Sequence, residues 1–342
     1  MATQLSLLNF TSPQPIQFST PDLVRTWLQT LDARACSPKT IRNYAAWGQR
    51  LATKWPTMTE SDFPECIQIA SASLHRQGYS PTSIHGFQCS MASMAFCCWG
   101  WEPERRQAMI TARPVKPVHT VPNVDQVKAL TAAMPEPYRT VALLCYCCGL
   151  RISEAIQVRL QDIDLLNNTL AVMLSKGAKG RTVPIPSGLV SVLRNQAAKA
   201  IGVCESDLAQ GSIYAPLSGF EYLKHPSRGQ EPGQWPLFPQ TRLVRDRRVK
   251  GFVRVFVHSS KVERAFADAR KRTGSAAHIT PHRLRDAFAV HSLINGVPVN
   301  VIQNLMGHAT LETTAKYLSY LLTDEGAKLF PGLDLYKHLE SA

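Results

Sequence analysis

Acidic residues are in short supply in this sequence. Of 342 residues, 25 are Asp or Glu against 38 Lys or Arg, which leaves a net charge of +13 at neutral pH. A deficit of that size suits a polyanionic partner, nucleic acid first among them. Long hydrophobic runs are also missing. The longest, Val141 to Leu150, is too short to cross a bilayer, which excludes a transmembrane helix and makes a membrane partner unexpected. No basic region followed by an apolar stretch opens the chain, so no signal peptide is expected. The nine cysteines are odd in number and sit in apolar runs such as Cys97-Cys98 and Cys145-Tyr146-Cys147-Cys148. No CxxC pair has a mate at zinc-finger spacing, so they read as reduced core thiols of a cytoplasmic protein. His278 and His282 straddle Thr280-Pro281 and no carboxylate stands at metal spacing, so no metal is expected.

What is present is an ordinary globular mixture, 44% apolar and 18% charged, long enough for two domains. Residues 1–19 read as a flexible lead. Thr20-Pro21-Asp22 then opens a helix with Leu23, Trp27 and Leu31 on one face. Ser37-Pro38-Lys39-Thr40 opens a second, with Ile41, Tyr44 and Trp47 inward and Arg42, Arg50 and Lys54 outward. Ser61-Asp62 and Ser80-Pro81-Thr82-Ser83 open a third and a fourth, making residues 20–111 one small all-helical domain. Residues 112–123, with Pro114, Pro117 and Pro122, read as a linker. Residues 124–342 form the second domain. Helices are expected over 124–134 and 137–147. A β hairpin alternates through Leu170, Val172 and Leu174 and then Val183 and Ile185, and a helix follows from Ser187 to about Lys199. The fold class is therefore mainly α with a small antiparallel β-sheet. An insertion, about 202–257, reads as long and irregular, with Tyr214, Phe220, Tyr222, Trp235 and Phe238 beside basic residues. The basic residues cluster from its end onward, including Arg242, Arg245, Arg247, Arg248, Lys250 and Arg254.

The chemistry concentrates from Thr280 to Tyr320. Thr280-Pro281 starts a helix on which His282 and Arg285 lie three apart on one face of the first turn, beside the positive helix end, an arrangement suited to an anion. Gly307 permits a tight turn that presents His308, and Tyr317 follows nine residues later, after Thr313-Thr314. Far upstream stand Gly149-Leu150-Arg151-Ile152-Ser153-Glu154, and between them Ser175-Lys176-Gly177-Ala178-Lys179-Gly180-Arg181.

These motifs, in this order and spacing, resemble the tyrosine recombinase (phage integrase) family over nearly the whole chain. The resemblance implies an all-helical core-binding domain followed by an α+β catalytic domain. It implies a site-specific recombinase that joins DNA covalently to a tyrosine and needs neither metal nor other cofactor. Tyr317 is then the nucleophile, selected over Tyr320 by its distance from His308. Arg151 and Arg285 hold the phosphate, His308 donates a further hydrogen bond, and His282 is the base. Lys176, the first Lys of its turn, is preferred over Lys179 and Arg181 as the acid, and Glu154 supports the site. The stretch with Lys39 and Arg42 resembles the family's DNA-binding helical domain. Trp235-Pro236-Leu237-Phe238-Pro239, the run from Arg242 to Arg254, and His258 resemble the extra segment of integron integrases. That subgroup implies folded single-stranded sites, with aromatic residues stacked on extrahelical bases. A tetramer is implied too, with a C-terminal helix at about 324–339 docking on a neighbour. Three departures stand out. Asp286 replaces the family's usual His after Arg285, Met306 replaces the common Leu before Gly307, and Val255-Phe256 replaces an expected His pair. Two other outcomes share the chemistry or the fold: a topoisomerase-like nicking and relaxing enzyme, and a non-catalytic DNA-binding regulator.

Overall fold

The computed structural model describes residues 16–113, 121–173, 180–274, 278–315 and 317–318. It divides into two compact units, Met1–Val118 and His119–Ala342.

In the first unit, β1 (Gln17–Ser19) leads into α1 (Thr20–Ala33), followed by α2 (Pro38–Lys54), β2 (Thr57–Thr59), α3 (Phe63–Arg76), α4 (Pro81–Trp99) and α5 (Pro103–Ala108). The helix starts are set locally. Proline opens each helix without losing a needed N–H, and the Ser37 and Ser80 hydroxyls accept the Thr40 and Ser83 amides. Trp27, Phe63, Met91 and Met94 are fully enclosed between the helices, with Tyr44 stacked on Trp27 at 5.1 Å. The unit is not purely helical as expected. Gln17, Phe18 and Ser19 pair antiparallel with Thr59, Met58 and Thr57, so part of the anticipated lead is a strand, and α5 adds a fifth helix. Lys39 and Arg42 are exposed on the outer face of α2.

The second unit begins with α6 (Val124–Ala132), α7 (Tyr138–Cys147) and α8 (Ile152–Ala155). An antiparallel sheet follows in the order β3 (Ile163–Asp164), β4 (Thr169–Val172), β5 (Arg181–Pro184), with Leu170 opposite Val183 and both buried. Then come α9 (Ser187–Ala209), β6 (Ile213–Tyr214), α10 (Gly219–Lys224), β7 (Val244–Asp246), β8 (Gly251–Val253), α11 (Ser259–Thr273), α12 (Pro281–Ile294), α13 (Val299–Met306) and α14 (Leu311–Ala315). The main core gathers side chains of α6, α7, α9, α11 and the first sheet, with Leu284 reaching in from α12. Among the described residues, no helix is long and apolar enough to cross a membrane.

The insertion is ordered, against the irregular segment read from sequence. α9 continues through it to Ala209 because Leu193, Gln196, Ala200, Cys204 and Asp207 keep a helical buried stripe. A second sheet then forms, with β8 central, pairing parallel to β6 and antiparallel to β7. Trp235 and Phe238 are fully buried. The Trp235 indole N–H donates to Asp207 Oδ2 at 3.3 Å, and Phe238 joins the main core. Neither ring faces solvent, so the expected stacking of these two on extrahelical bases is corrected: their area stabilises the insertion from within. Arg254 is likewise structural. Its Nε and Nη2 donate to the two oxygens of buried Asp207 at 2.7 and 2.6 Å, and Nη1 donates to the Gln240 and Thr241 carbonyls. Arg242, Arg245, Arg247, Arg248 and Lys250 are exposed on and around the β7–β8 hairpin, Arg248 against Asp246. His258 caps α11, accepting the Ser260 amide.

Candidate active site

Two glycine turns and one helix cap assemble the site. α7 ends ahead of Gly149, whose φ of +63° only glycine adopts without strain. A Cβ there would lie 2.5 Å from the Phe288 ring. The turn puts Arg151 at the head of α8. Thr280 caps α12 by accepting the Arg283 amide, which orients the first turn carrying His282 and Arg285. Gly307, at φ +64°, ends α13 and turns the chain to His308, and α14 then delivers Tyr317.

Three arginines converge on Glu154, whose side chain is 7% exposed. Arg151 donates to it twice, from its backbone N–H and from Nη1, both at 2.8 Å. Arg181 donates from Nη2 at 2.8 Å and Nη1 at 3.2 Å. Arg285 Nη1 stands 3.6 Å away. Burial pushes the Glu154 pKa up, but the hydrogen bonds and charge of Arg181, with the Arg151 bonds, override it and hold the carboxyl at about 2. Arg285 is only 1% exposed. It donates to the Gly149 carbonyl at 2.5 Å and the Met306 carbonyl at 2.6 Å. The Met306 oxygen lies at the negative end of α13, which helps a buried cation persist. Burial, then the like charge of Arg151, lowers its pKa to about 10, so it stays charged at neutral pH. Arg151 keeps 41% of its side chain exposed. One guanidinium is thus fixed deep in the fold and a second reaches outward.

A second cluster surrounds Tyr317, which is 2% exposed. Its hydroxyl donates to Asp286 Oδ1 at 2.6 Å. His282 Nε2 lies 3.9 Å from the same oxygen, and Arg283 Nη1 lies 3.6 Å from Oδ2. The His308 ring lies nearly parallel to the Tyr317 ring at 6.4 Å, and its Nδ1 bonds the Thr314 hydroxyl at 2.8 Å. The clusters adjoin: Asp286 follows Arg285 on α12, and the charge of Arg285 is felt at Tyr317. Arg151, Glu154, His282, Arg285, His308 and Tyr317 are therefore brought together. Lys176 lies outside the described residues, as does Tyr320. The basic residues of the insertion lie elsewhere in the chain, and Lys39 and Arg42 belong to the other unit.

Sequence reasoning missed two residues. Arg181 was weighed only as a rival of Lys176, yet it organises Glu154 and also donates from Nε to the Leu305 carbonyl at 2.6 Å. Asp286 stands out in the sequence only as a departure from the family's usual His, yet it accepts the tyrosine hydroxyl. A signal for Asp286 existed: a carboxylate beside an enclosed Arg needs a partner, and a phenol is one.

Residues 122–321 match the family model described as the phage integrase family. An "Integrase/recombinase" of Escherichia coli is 31% identical over 232 residues, covering 67% of this chain and 68% of that protein. Tyrosine recombinase XerA of Thermococcus onnurineus is 27% identical over 325 residues, covering 91% and 97%. Lambda integrase, solved as a tetramer bound to a Holliday junction, has a similar fold, with a TM-score of 0.60 at 16% identity, covering 89% of this chain and 78% of that one. With three arginines converging on Glu154, a histidine turn and an enclosed tyrosine in one unit, and with the family match covering residues 122–321 of it, the chain belongs to the phage integrase family and is a tyrosine site-specific recombinase.

Proposed function

We propose that this chain cuts and rejoins DNA strands through a 3′-phosphotyrosyl bond to Tyr317, integrating or excising DNA elements. The observation that carries this reading is the placement of Arg285 and Arg151 around one carboxylate, next to the compartment of Tyr317. Attack on a phosphodiester builds negative charge on the phosphoryl oxygens, and fixed donors placed beforehand lower that barrier. Guanidinium suits the task because it stays charged and binds two oxygens at once. Arg285 is locked by two carbonyls, and Arg151 by Glu154, so neither has to be ordered at the moment of reaction. His308 donates to the same phosphate, His282 serves proton removal, and Lys176 protonates the leaving 5′-oxygen. The phosphotyrosyl bond conserves the energy of the broken one, so religation needs no ATP, metal or other cofactor.

The finer reading is an integron-integrase-like enzyme acting in the cytoplasm on duplex and folded single-stranded sites, as a homotetramer joined by exchange of residues 324–339. It draws support from the insertion and its exposed Arg242, Arg245, Arg247, Arg248 and Lys250. Trp235 and Phe238 lend it none. Residues 324–339 lie outside the described residues. The tetrameric state of lambda integrase, of the same fold, favours strand exchange between sites over relaxation by a single chain.

The test is covalent trapping on a nicked suicide substrate. Tyr317→Phe should bind DNA and form no denaturation-resistant adduct, while Tyr320→Phe should still form one. The opposite pattern overturns the assignment.

A further inference from the structure

We propose that Asp286 is a catalytic residue: it accepts the Tyr317 proton as that oxygen attacks phosphorus, and His282 stands behind it to pass the proton on. The proposal rests on Tyr317 being the nucleophile.

Asp286 is 4% exposed and Tyr317 2%, so the carboxylate and the phenol share a compartment from which water is excluded. The 2.6 Å contact is a direct donor-to-carboxylate bond to the reacting oxygen itself. Among the described residues, charged groups of its own helix stand at the edges of the carboxylate, His282 Nε2 at 3.9 Å from Oδ1 and Arg283 Nη1 at 3.6 Å from Oδ2. From beyond α14 comes Tyr317, which also feels the charge of Arg285, the neighbour of Asp286 on α12. Exposed His282 links the enclosed pair to solvent. A buried carboxylate needs such groups to hold it, and the phenol, at 2.6 Å, lies nearer to it than His282 or Arg283.

At rest the phenol carries the proton and donates it as a hydrogen bond to Asp286 Oδ1. The balance reverses along the reaction. As the Tyr317 oxygen bonds to phosphorus it loses its basicity, and the bridging oxygen of the product ester holds no proton. Transfer to Asp286 becomes downhill while the bond forms, which is the condition for general base catalysis. The phenol O–H breaks, its proton goes to Asp286 Oδ1, and the O–P bond forms. The bond from phosphorus to the 5′-oxygen breaks, and that oxygen takes a separate proton from the general acid. In religation Asp286 returns its proton to Tyr317 as the tyrosine leaves. No other reagent enters.

The test uses the full chain and single-turnover adduct formation on a suicide substrate. Asp286→Asn keeps the shape and an oxygen acceptor but cannot take a proton. Adduct formation should slow by about 100-fold at neutral pH, with DNA affinity unchanged within about twofold, and the rate should climb as pH rises. A fluorinated tyrosine at position 317, whose phenol ionises more readily, should restore most of the loss in Asp286→Asn while changing the parent little. Asp286→His, which supplies a basic nitrogen, should recover more activity than Asp286→Asn. The proposal is overturned if Asp286→Asn stays within about threefold of the parent, or if the fluorinated tyrosine speeds both backgrounds alike, which reduces Asp286 to packing. Should Asp286→Asn have a lowered unfolding midpoint, the same fluorinated comparison in Asp286→His decides. A parent chain that forms no adduct at all would instead overturn the role of Tyr317.

Discussion

Arg181 grips Glu154 at both carboxylate oxygens while its Nε holds the Leu305 carbonyl, so one side chain of β5 ties α8 to the end of α13. The Gly307 turn closes over it: a Cβ at that glycine would lie 2.9 Å from Arg181 Nη1. Strand β5 and the loop that presents His308 therefore share an anchor, and both depend on a residue with no chemical step of its own.

Arg181→Ala should destabilise the chain by about 3–5 kcal/mol, because it leaves a buried carboxylate with fewer cations around it. Arg181→Lys should recover less than half, since an ammonium cannot reproduce the planar fork across two oxygens. Denaturant unfolding of the three proteins checks this. Equal midpoints for Arg181→Ala and the parent would remove Arg181 from the site's framework.

Glu154 should impose an acid limit on stability. Its carboxyl is lowered from 4.5 to about 2, so the folded state binds its proton less readily than the unfolded chain. The contribution, about 3 kcal/mol, is fully present above the unfolded value and fades as pH falls toward the folded one. The stability curves of the parent and Glu154→Gln should therefore converge between those two values. Parallel curves would mean that the carboxylate is not held as described.

Trp235→Ala should cost about 3–5 kcal/mol as a core truncation. Its affinity for a bulged hairpin and for the fully paired counterpart should change together. Titrations of both, alongside an unfolding curve, decide: selective loss on the hairpin with an unchanged midpoint would restore the stacking role.

Binding should weaken steeply with salt, and the β7–β8 hairpin should carry part of that dependence. Each exposed cation removed from a phosphate contact lowers the slope of log affinity against log salt by about 1. Arg245→Ala with Arg247→Ala should flatten the slope by about 2 if both touch the backbone. An unchanged slope places the DNA elsewhere.

Lys176→Ala should slow cleavage of an ordinary phosphodiester and spare a 5′-thio-bridged one, because a thiolate leaves without a proton. Equal slowing on both would assign Lys176 to binding.

Much of this was legible in the sequence because local signals set it. Ser37-Pro38, Ser80-Pro81 and Thr280-Pro281 mark helix starts that the structure places within a residue, and Gly149 and Gly307 mark the turns that aim Arg151 and His308. What escaped depends on partners far away in the chain. Trp235 beside basic residues looks the same in sequence whether it faces a base or Asp207, 28 positions earlier. Arg181 and Asp286 take their roles from Glu154 and Tyr317, contacts that no periodicity announces. The insertion looked irregular because its strands are only two or three residues long, too short for alternation to register.

The two arginines Arg151 and Arg285, both beside Glu154, should part company inside a living cell. Arg285 is the seam between the turn after α7 and the end of α13, whereas Arg151 is partly open to water. Losing Arg285 opens the protein to the quality-control machinery, and its variants should be scarce as well as inactive. Arg151 variants should accumulate to ordinary levels as inert protein, still able to occupy recombination sites and obstruct the intact enzyme. Of the two losses, only the second would be dominant.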